Sequence, residues 1–131
     1  MISPADVRAV VDAYVEAYRR NDKQACLDLF AAGAQWHDPV GDPPHVGHAG
    51  VGAFWDQART MADVIELVPR DVIVCANQAA MVFEIHVTVG AADGPSSTMV
   101  MDAVDVFVLD DDGLIVELRA YWDMTRARTR A

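Results

Sequence analysis

Two kinds of side chain in this sequence, carboxyl and phenol, can move or hold a proton in apolar company. Asp38 lies in the stretch WHDPVG, between His37 and Pro39, with Trp36, Val40 and Phe30 as apolar neighbours in sequence. Asp102 and Asp105 interrupt MDAVDVFV, a run otherwise suited to a strand, where aspartate is a poor choice. Tyr14 recurs with Val7, Val10, Val11, Val15 and Tyr18 at helical spacing. Carboxyls and phenols are acid–base groups, and apolar surroundings shift their hold on the proton. Each residue also has a plainer use. Asp38 can bond its own loop backbone, Tyr14 can be a core tyrosine, and the strand aspartates can be edge charges that deter aggregation. Asp102 and Asp105 have opposite parity and so face opposite sides of a sheet. Asp105 shares a face with Met99, Met101, Ala103 and Phe107, and Asp102 with Val100, Val104, Val106 and Val108. Pattern alone does not say which of the two faces a cavity.

The elements that must position these residues are helices first and strands later. Ser3, Pro4 and Asp6 form a helix start of the capping-box kind. Asn21 and Asp22 break that helix, and Asp22 can cap a second one running to about Phe30, with Cys26, Leu27 and Phe30 inward. Residues 35–48 read as a loop rich in Gly, Pro and His. Val51, Phe54, Trp55 and Ala58 outline a third helix. The period then changes to two. A short strand is expected over 71–76, a half-buried antiparallel strand over 79–89, a turn over 90–97 and a long strand over 98–109. Asp110 to Gly113 is a hairpin turn. The last strand is expected from Leu114 to about Met124, with Leu114, Val116, Leu118, Ala120 and Trp122 on one face. The sum is an α+β domain over residues 1–131, with helices on one face of a curved antiparallel sheet that can enclose an apolar pocket.

A chain of 131 residues is one domain, and a hydrophobic fraction of 53% argues against disorder. The net charge of -10 argues against nucleic acid or an anionic membrane as partner. No apolar run is long enough to cross a bilayer, and the N-terminus lacks the pattern of a signal peptide. Cys26 and Cys75 read as two buried free thiols, which points to the cytoplasm. The arginine-rich end, TRARTRA, reads as a frayed, solvated tail. His45 and His48 flank Gly47 without further ligands at useful spacing, so they read as solvated loop residues and no metal is expected. His86 alternates with inward Ile85 and Val87 and is expected to face away from the core.

Taken together, the chain resembles the bacterial Δ5-3-ketosteroid isomerases of the NTF2-like (SnoaL-like) superfamily, over nearly its whole length. AVVDAY, ending at Tyr14, resembles the family's first-helix motif with its oxyanion-hole tyrosine. DPVG, from Asp38, resembles the loop of the catalytic base, and the Tyr14–Asp38 spacing matches. ANQAAMVF, from Ala76 to Phe83, resembles the opening of the family's long strand. VDVF, from Val104 to Phe107, is similar to the segment of the second oxyanion donor, which selects Asp105 over Asp102. RAYW, from Arg119 to Trp122, resembles the closing strand, where some members place an aromatic near the base. The resemblance implies a cone of about three N-terminal helices on a curved, mixed but mostly antiparallel sheet. It implies an isomerase acting on a 3-ketosteroid without metal or organic cofactor, with Asp38 as base and Tyr14 and a protonated Asp105 as oxyanion hole. It also implies a pocket lined by Phe30, Phe54, Trp55, Phe83, Met101, Phe107 and Trp122, and a homodimer paired through the outer face of the sheet.

Some positions depart from that family. Phe30 and Trp55 stand where certain members have further tyrosines, so an extended hydrogen-bond network is not expected. His37 replaces a usual acid and is expected to face solvent. The turn over 90–97 is longer than in the best-known members and bears on the pocket mouth and the substrate. Two other readings remain. One is another NTF2-like enzyme, such as a polyketide cyclase, a dehydratase or an epoxide hydrolase. An epoxide hydrolase of that kind would want an arginine between buried acids, and Arg59, Arg70 and Arg119 do not point inward by pattern. The other reading is a non-catalytic binder of a steroid or similar flat apolar ligand.

Overall fold

Helix α1 spans Pro4–Arg19, and its start is the capping box read from sequence. The Ser3 hydroxyl accepts the Asp6 N–H at 3.1 Å, and the Asp6 carboxylate accepts the Ser3 N–H at 3.2 Å. Helix α2 is short, Lys23–Leu27, capped by Asp22, whose carboxylate accepts the Ala25 N–H at 3.0 Å. The remaining elements are strands β1 (Phe30–His37) and β2 (His45–Val46), helix α3 (Gly47–Met61), and strands β3 (Val64–Cys75), β4 (Gln78–Val89), β5 (Ser97–Leu109), β6 (Ile115–Trp122) and β7 (Arg128–Arg130). A 3₁₀ turn, Met124–Arg126, separates the last two strands. The computed structural model describes residues 2–90 and 94–130. Part of the turn expected over 90–97 therefore lies outside the described residues.

The strands form one sheet in the order β2-β1-β6-β5-β4-β3, with β7 also on β5. Its pairings are antiparallel except β1 with β6, which is parallel. The helices pack on one face, and the buried core between the layers includes Val7, Val11, Trp36, Val51, Met81, Phe107 and Leu118. This is the mixed, mostly antiparallel curved sheet with N-terminal helices that the sequence led us to expect. No described helix is long and apolar enough to cross a membrane.

Several expectations need correcting, each for a physical reason. Phe30 opens β1 rather than ending α2, and 35–37 are strand rather than loop. The segment Ala31–Ala34 is made of small residues that carry no period-two signal; the strand is set by pairing with β6. β3 begins at Val64, not at 71. It is an edge strand, so Pro69 is tolerated inside it. A register shift between Pro69 and Asp71 absorbs one residue. The more buried positions are therefore odd before it (Ile65, Leu67) and even after it (Val72, Val74), which hides the alternation. A second shift, at Val108/Leu109, puts Ile115 rather than Leu114 or Val116 in the core, while Leu118 and Ala120 remain buried as expected. β5 is paired on both sides, so neither Asp102 nor Asp105 is an edge charge.

The tail is not frayed. After the 3₁₀ turn the chain rejoins the sheet, with Arg128 opposite Val100 and Thr129 opposite Met99. Cys26 is buried but Cys75 is exposed at the end of β3, and both thiols are free. His86 does face the outer side of the sheet, yet it is buried there and bonds Glu84 at 2.9 Å.

Candidate active site

A cavity of about 1020 Å³ opens between the helices and the concave face of the sheet. Its walls are apolar, with Leu67, Phe83, Ile85 and Met101 among them, and Tyr14, Tyr18, Asp38 and Asp105 all reach it. The two acids come from opposite ends of the sequence logic: one from a loop, one from the middle of a strand.

The Asp38 loop is pinned to β6 twice. The Val40 N–H donates to the Ala120 carbonyl at 2.9 Å, and the Trp122 indole N–H donates to Asp38 Oδ1 at 2.8 Å. The Asp38–Pro39 peptide is cis. Burial pushes the Asp38 carboxyl up from 3.8 to about 6, while the Trp122 bond favours the charged form and pulls the other way. Asp38 therefore stays ionised at neutral pH but holds a proton more strongly than a surface aspartate.

Asp105 behaves differently. It is 2% exposed, on the cavity face of β5, and its Oδ1 has no hydrogen-bond partner among the described residues. Burial raises its carboxyl well above the usual carboxylate range, and the charge of Asp38 raises it further. Both effects favour the neutral acid, which can donate a hydrogen bond. Asp102, its rival in the sequence, lies on the outer face among arginines.

Tyr14 is held by edge contacts to Trp36 and Phe107, with ring centroids 6.3 and 5.3 Å apart. Its hydroxyl lies 3.4 Å from that of Tyr18, to which it donates. A hydroxyl can rotate, so when Tyr14 donates to a ligand Tyr18 can donate to Tyr14 in turn. Burial is the largest cause raising both phenols well above their ordinary value, so both remain protonated donors. The sequence marks Tyr18 only by its helical spacing, and the departures at Phe30 and Trp55 argue against an extended hydrogen-bond network; the Tyr14–Tyr18 pair is a hydrogen bond that reading misses. The signal for it was there: positions i and i+4 share one helix face.

The expected lining residues divide into two groups. Phe54, Phe83, Met101 and Trp122 face the cavity. Phe30, Trp55 and Phe107 do not line it and are buried behind its wall. Phe30 packs on Trp36, Phe107 on Tyr14, and Trp55 on Tyr18 with Arg59 stacked 3.5 Å from its ring. Phe54 and Trp55 are consecutive on a helix and so point about 100° apart; one reaches the cavity and the other the core. His45 and His48 are not simply solvated. His45 stacks on Phe54 at the cavity wall, ring centroids 4.2 Å apart, and His48 bonds the Phe30 carbonyl at 2.7 Å. His37 closes β1 opposite Arg119 and is half-buried. No arginine lines the cavity among the described residues: Arg59 bonds Asn21, Arg70 pairs with Glu84 and Arg119 with Glu117.

The SnoaL-like domain family matches residues 11–118. A steroid Delta-isomerase of Nocardioides simplex is 32% identical over 118 residues, 90% of this chain and 90% of that one. The epoxide hydrolase LasB of Streptomyces lasalocidi is 30% identical over 116 residues; the match spans 86% of this chain but 39% of that longer protein. Among solved structures, the epoxide hydrolase/cyclase-like enzyme SalBIII, from pyran ring formation in the polyether salinomycin, superposes with a TM-score of 0.87 at 23% identity. That match covers 99% of this chain and 100% of the other, and at such identity it speaks for the fold alone.

Proposed function

The chain belongs to the SnoaL-like (NTF2-like) family, and from that premise we propose that it is a steroid Δ5-isomerase needing no cofactor. The observation that carries this reading is the pair of acids with separated proton affinities in one apolar cavity: Asp38, about 6, and the deeper, neutral-favouring Asp105. The similarity to the Nocardioides isomerase supports it.

The chemistry is that of known ketosteroid isomerases. Moving a β,γ double bond into conjugation requires removing a carbon-bound proton beside the ketone. Asp38 takes that proton and the carbonyl becomes a dienolate oxyanion. Tyr14 and protonated Asp105 donate to the oxyanion, with Tyr18 behind Tyr14. Asp38 then returns the proton two carbons away, and the Δ4 enone leaves. Proton affinity near 6 suits Asp38 to both halves of this cycle, because a much weaker base would not take the proton and a much stronger one would not return it. We also propose a homodimer formed through the outer face of the sheet and, given two free thiols, a cytoplasmic location.

The test is to mix the pure protein with a Δ5-3-ketosteroid and follow the ultraviolet absorbance of the conjugated enone. Turnover supports the reading; binding without turnover favours a non-catalytic steroid binder. The base also sets the pH profile. Asp38 is active only when ionised, so kcat/KM is expected to fall as pH drops below about 6 and to level off above it. Trp122→Phe removes a bond that stabilises the ionised form. Its inflection is expected to move to higher pH, with a loss of rate near pH 6 that recovers in more alkaline buffer. An unmoved inflection would show that the indole does not tune the base.

A second reading is favoured by the similarity to LasB. In an epoxide-opening enzyme Asp38 would take the proton of an attacking hydroxyl and Asp105 would give one to the epoxide oxygen. A cavity of about 1020 Å³, at the upper end for small-molecule sites, would admit such a substrate. The lack of a cavity arginine among the described residues counts against the Arg-dependent form of that chemistry. Release of a diol or cyclic ether from a supplied hydroxy-epoxide would establish it.

A further inference from the structure

The outer face of the sheet carries an arrangement that the isomerase chemistry does not use. Glu84 and Asp102 sit directly opposite each other on β4 and β5. Like charges in that register repel, and Asp102 interrupts the run of valines on its face of β5. Three arginines gather on the pair. Arg128 lies 2.6 Å from Glu84 and 3.3 Å from Asp102, Arg126 lies 3.2 Å from Asp102, and Arg70 pairs with Glu84. Two of the three arginines belong to the segment that follows β6. The acidic pair therefore anchors that segment to the sheet.

The anchor has a counterpart on the other face. Strand alternation turns Thr129 away from Arg128, and Thr129 lies opposite Met99, on the cavity side. Ser97, two residues before Met99, also reaches the cavity. Both residues lie far along β5 from Asp105. Met99 and Asp105 are six residues apart on β5, roughly 20 Å along the strand. The stretch between them is walled by apolar side chains such as Met101, Ile85 and Val87.

We propose that Thr129, beside Ser97 at the same end of the cavity, is a specificity-determining residue that reads a hydrogen-bonding substituent at the end of the ligand remote from Asp105, and that Arg128 is the positioning residue that holds it there. This rests on the isomerase reading, which places the ketone at Tyr14 and Asp105. It deepens that reading by naming the ligand class: a 3-ketosteroid longer than its four rings, with a polar side chain at the opposite end. Asp102 then has a purpose in a central strand. Its charge fixes the strap that completes the cavity mouth.

The experiment compares the affinities of two Δ4-3-ketosteroids that differ only in the chain at carbon 17, one ending in a hydroxyl and one in a methyl group. Wild-type protein is expected to prefer the hydroxylated ligand by roughly three- to ten-fold, the range of one net hydrogen bond. Thr129→Val, nearly isosteric, is expected to bring that ratio close to one. Arg128→Gln is expected to do the same, and the double variant is expected to lose no more than either single variant. Circular dichroism and melting curves establish that each variant folds. Equal affinities in wild type, or a ratio that survives Thr129→Val, would overturn the proposal. An Arg128→Gln protein that melts lower but keeps the preference would overturn the positioning role. Binding with the expected ratio but without turnover of a Δ5 substrate would support the strap and fail only the isomerase reading. No binding of either ligand would bring both down.

Discussion

Asparagine at position 38 is expected to lower kcat by roughly 10²- to 10⁴-fold or more, the range for a positioned general base, while affinity for a steroid product stays within a few-fold. The substitution keeps the shape of the side chain and an oxygen to accept the Trp122 indole bond, so the loop pinned by Val40 and Trp122 has no reason to move. It removes only the capacity to take a proton. The same variant is expected to be more stable than wild type at about pH 8. Burial raises the folded-state carboxyl from 3.8 to about 6, so the folded protein binds this proton more tightly than the unfolded chain does. That contribution is present below the ordinary value and is lost as pH rises through about 6. Above that, an ionised Asp38 costs at most about 3 kcal/mol, at about 1.4 kcal/mol per unit. Asparagine relieves the cost, so the gain in melting temperature should be largest in alkaline buffer and vanish near pH 4. Lost activity with no stability gain would mean that Asp38 is not strained in its ionised form. Retained activity would remove it as the base.

The fold was largely legible because α1, β4 and β5 each carry a strong period and α1 an explicit cap. What escaped were elements fixed by distant partners. β1 owes its existence to β6, and β7 to three residues of β5 some thirty positions earlier; neither segment has a period of its own. The β3 alternation was scrambled by one register shift. At the site, Tyr14, Asp38 and one of two strand aspartates could be named, but parity does not reveal which side of a sheet the helices cover. Only resemblance selected Asp105, and its place on the cavity face is a tertiary fact. Aromatics were over-assigned to the pocket for the same reason. Phe30, Trp55 and Phe107 are as apolar as Phe54 and Phe83, and burial in the core and burial at a ligand wall look alike in sequence.

The oxyanion donors give the other large effect. Tyr14→Phe and Asp105→Ala are each expected to lose roughly 2.7–4 kcal/mol of transition-state stabilisation, a drop of about 10²- to 10³-fold in kcat. Phenylalanine preserves the edge packing of ring 14 on Trp36 and Phe107, so the loss isolates the hydroxyl. For Asp105 the informative comparison is between alanine and asparagine. Asp105 is expected to act as a neutral donor, its Oδ1 buried without a partner among the described residues and its carboxyl held well above the usual range by burial and by Asp38. Asparagine is also a neutral donor and should retain much of the rate that alanine loses. If Asp105 worked as an anion, asparagine would fare as badly as alanine. Combining Tyr14→Phe with Asp105→Ala should cost less than the sum of the two, because both donors serve one oxygen and either can partly compensate for the other. Near-wild-type rates in both single variants would end the oxyanion-hole assignment. Enone formation would then have to be stabilised elsewhere in the cavity, and the epoxide reading, in which Asp105 gives its proton away, would become the stronger account of the same two acids.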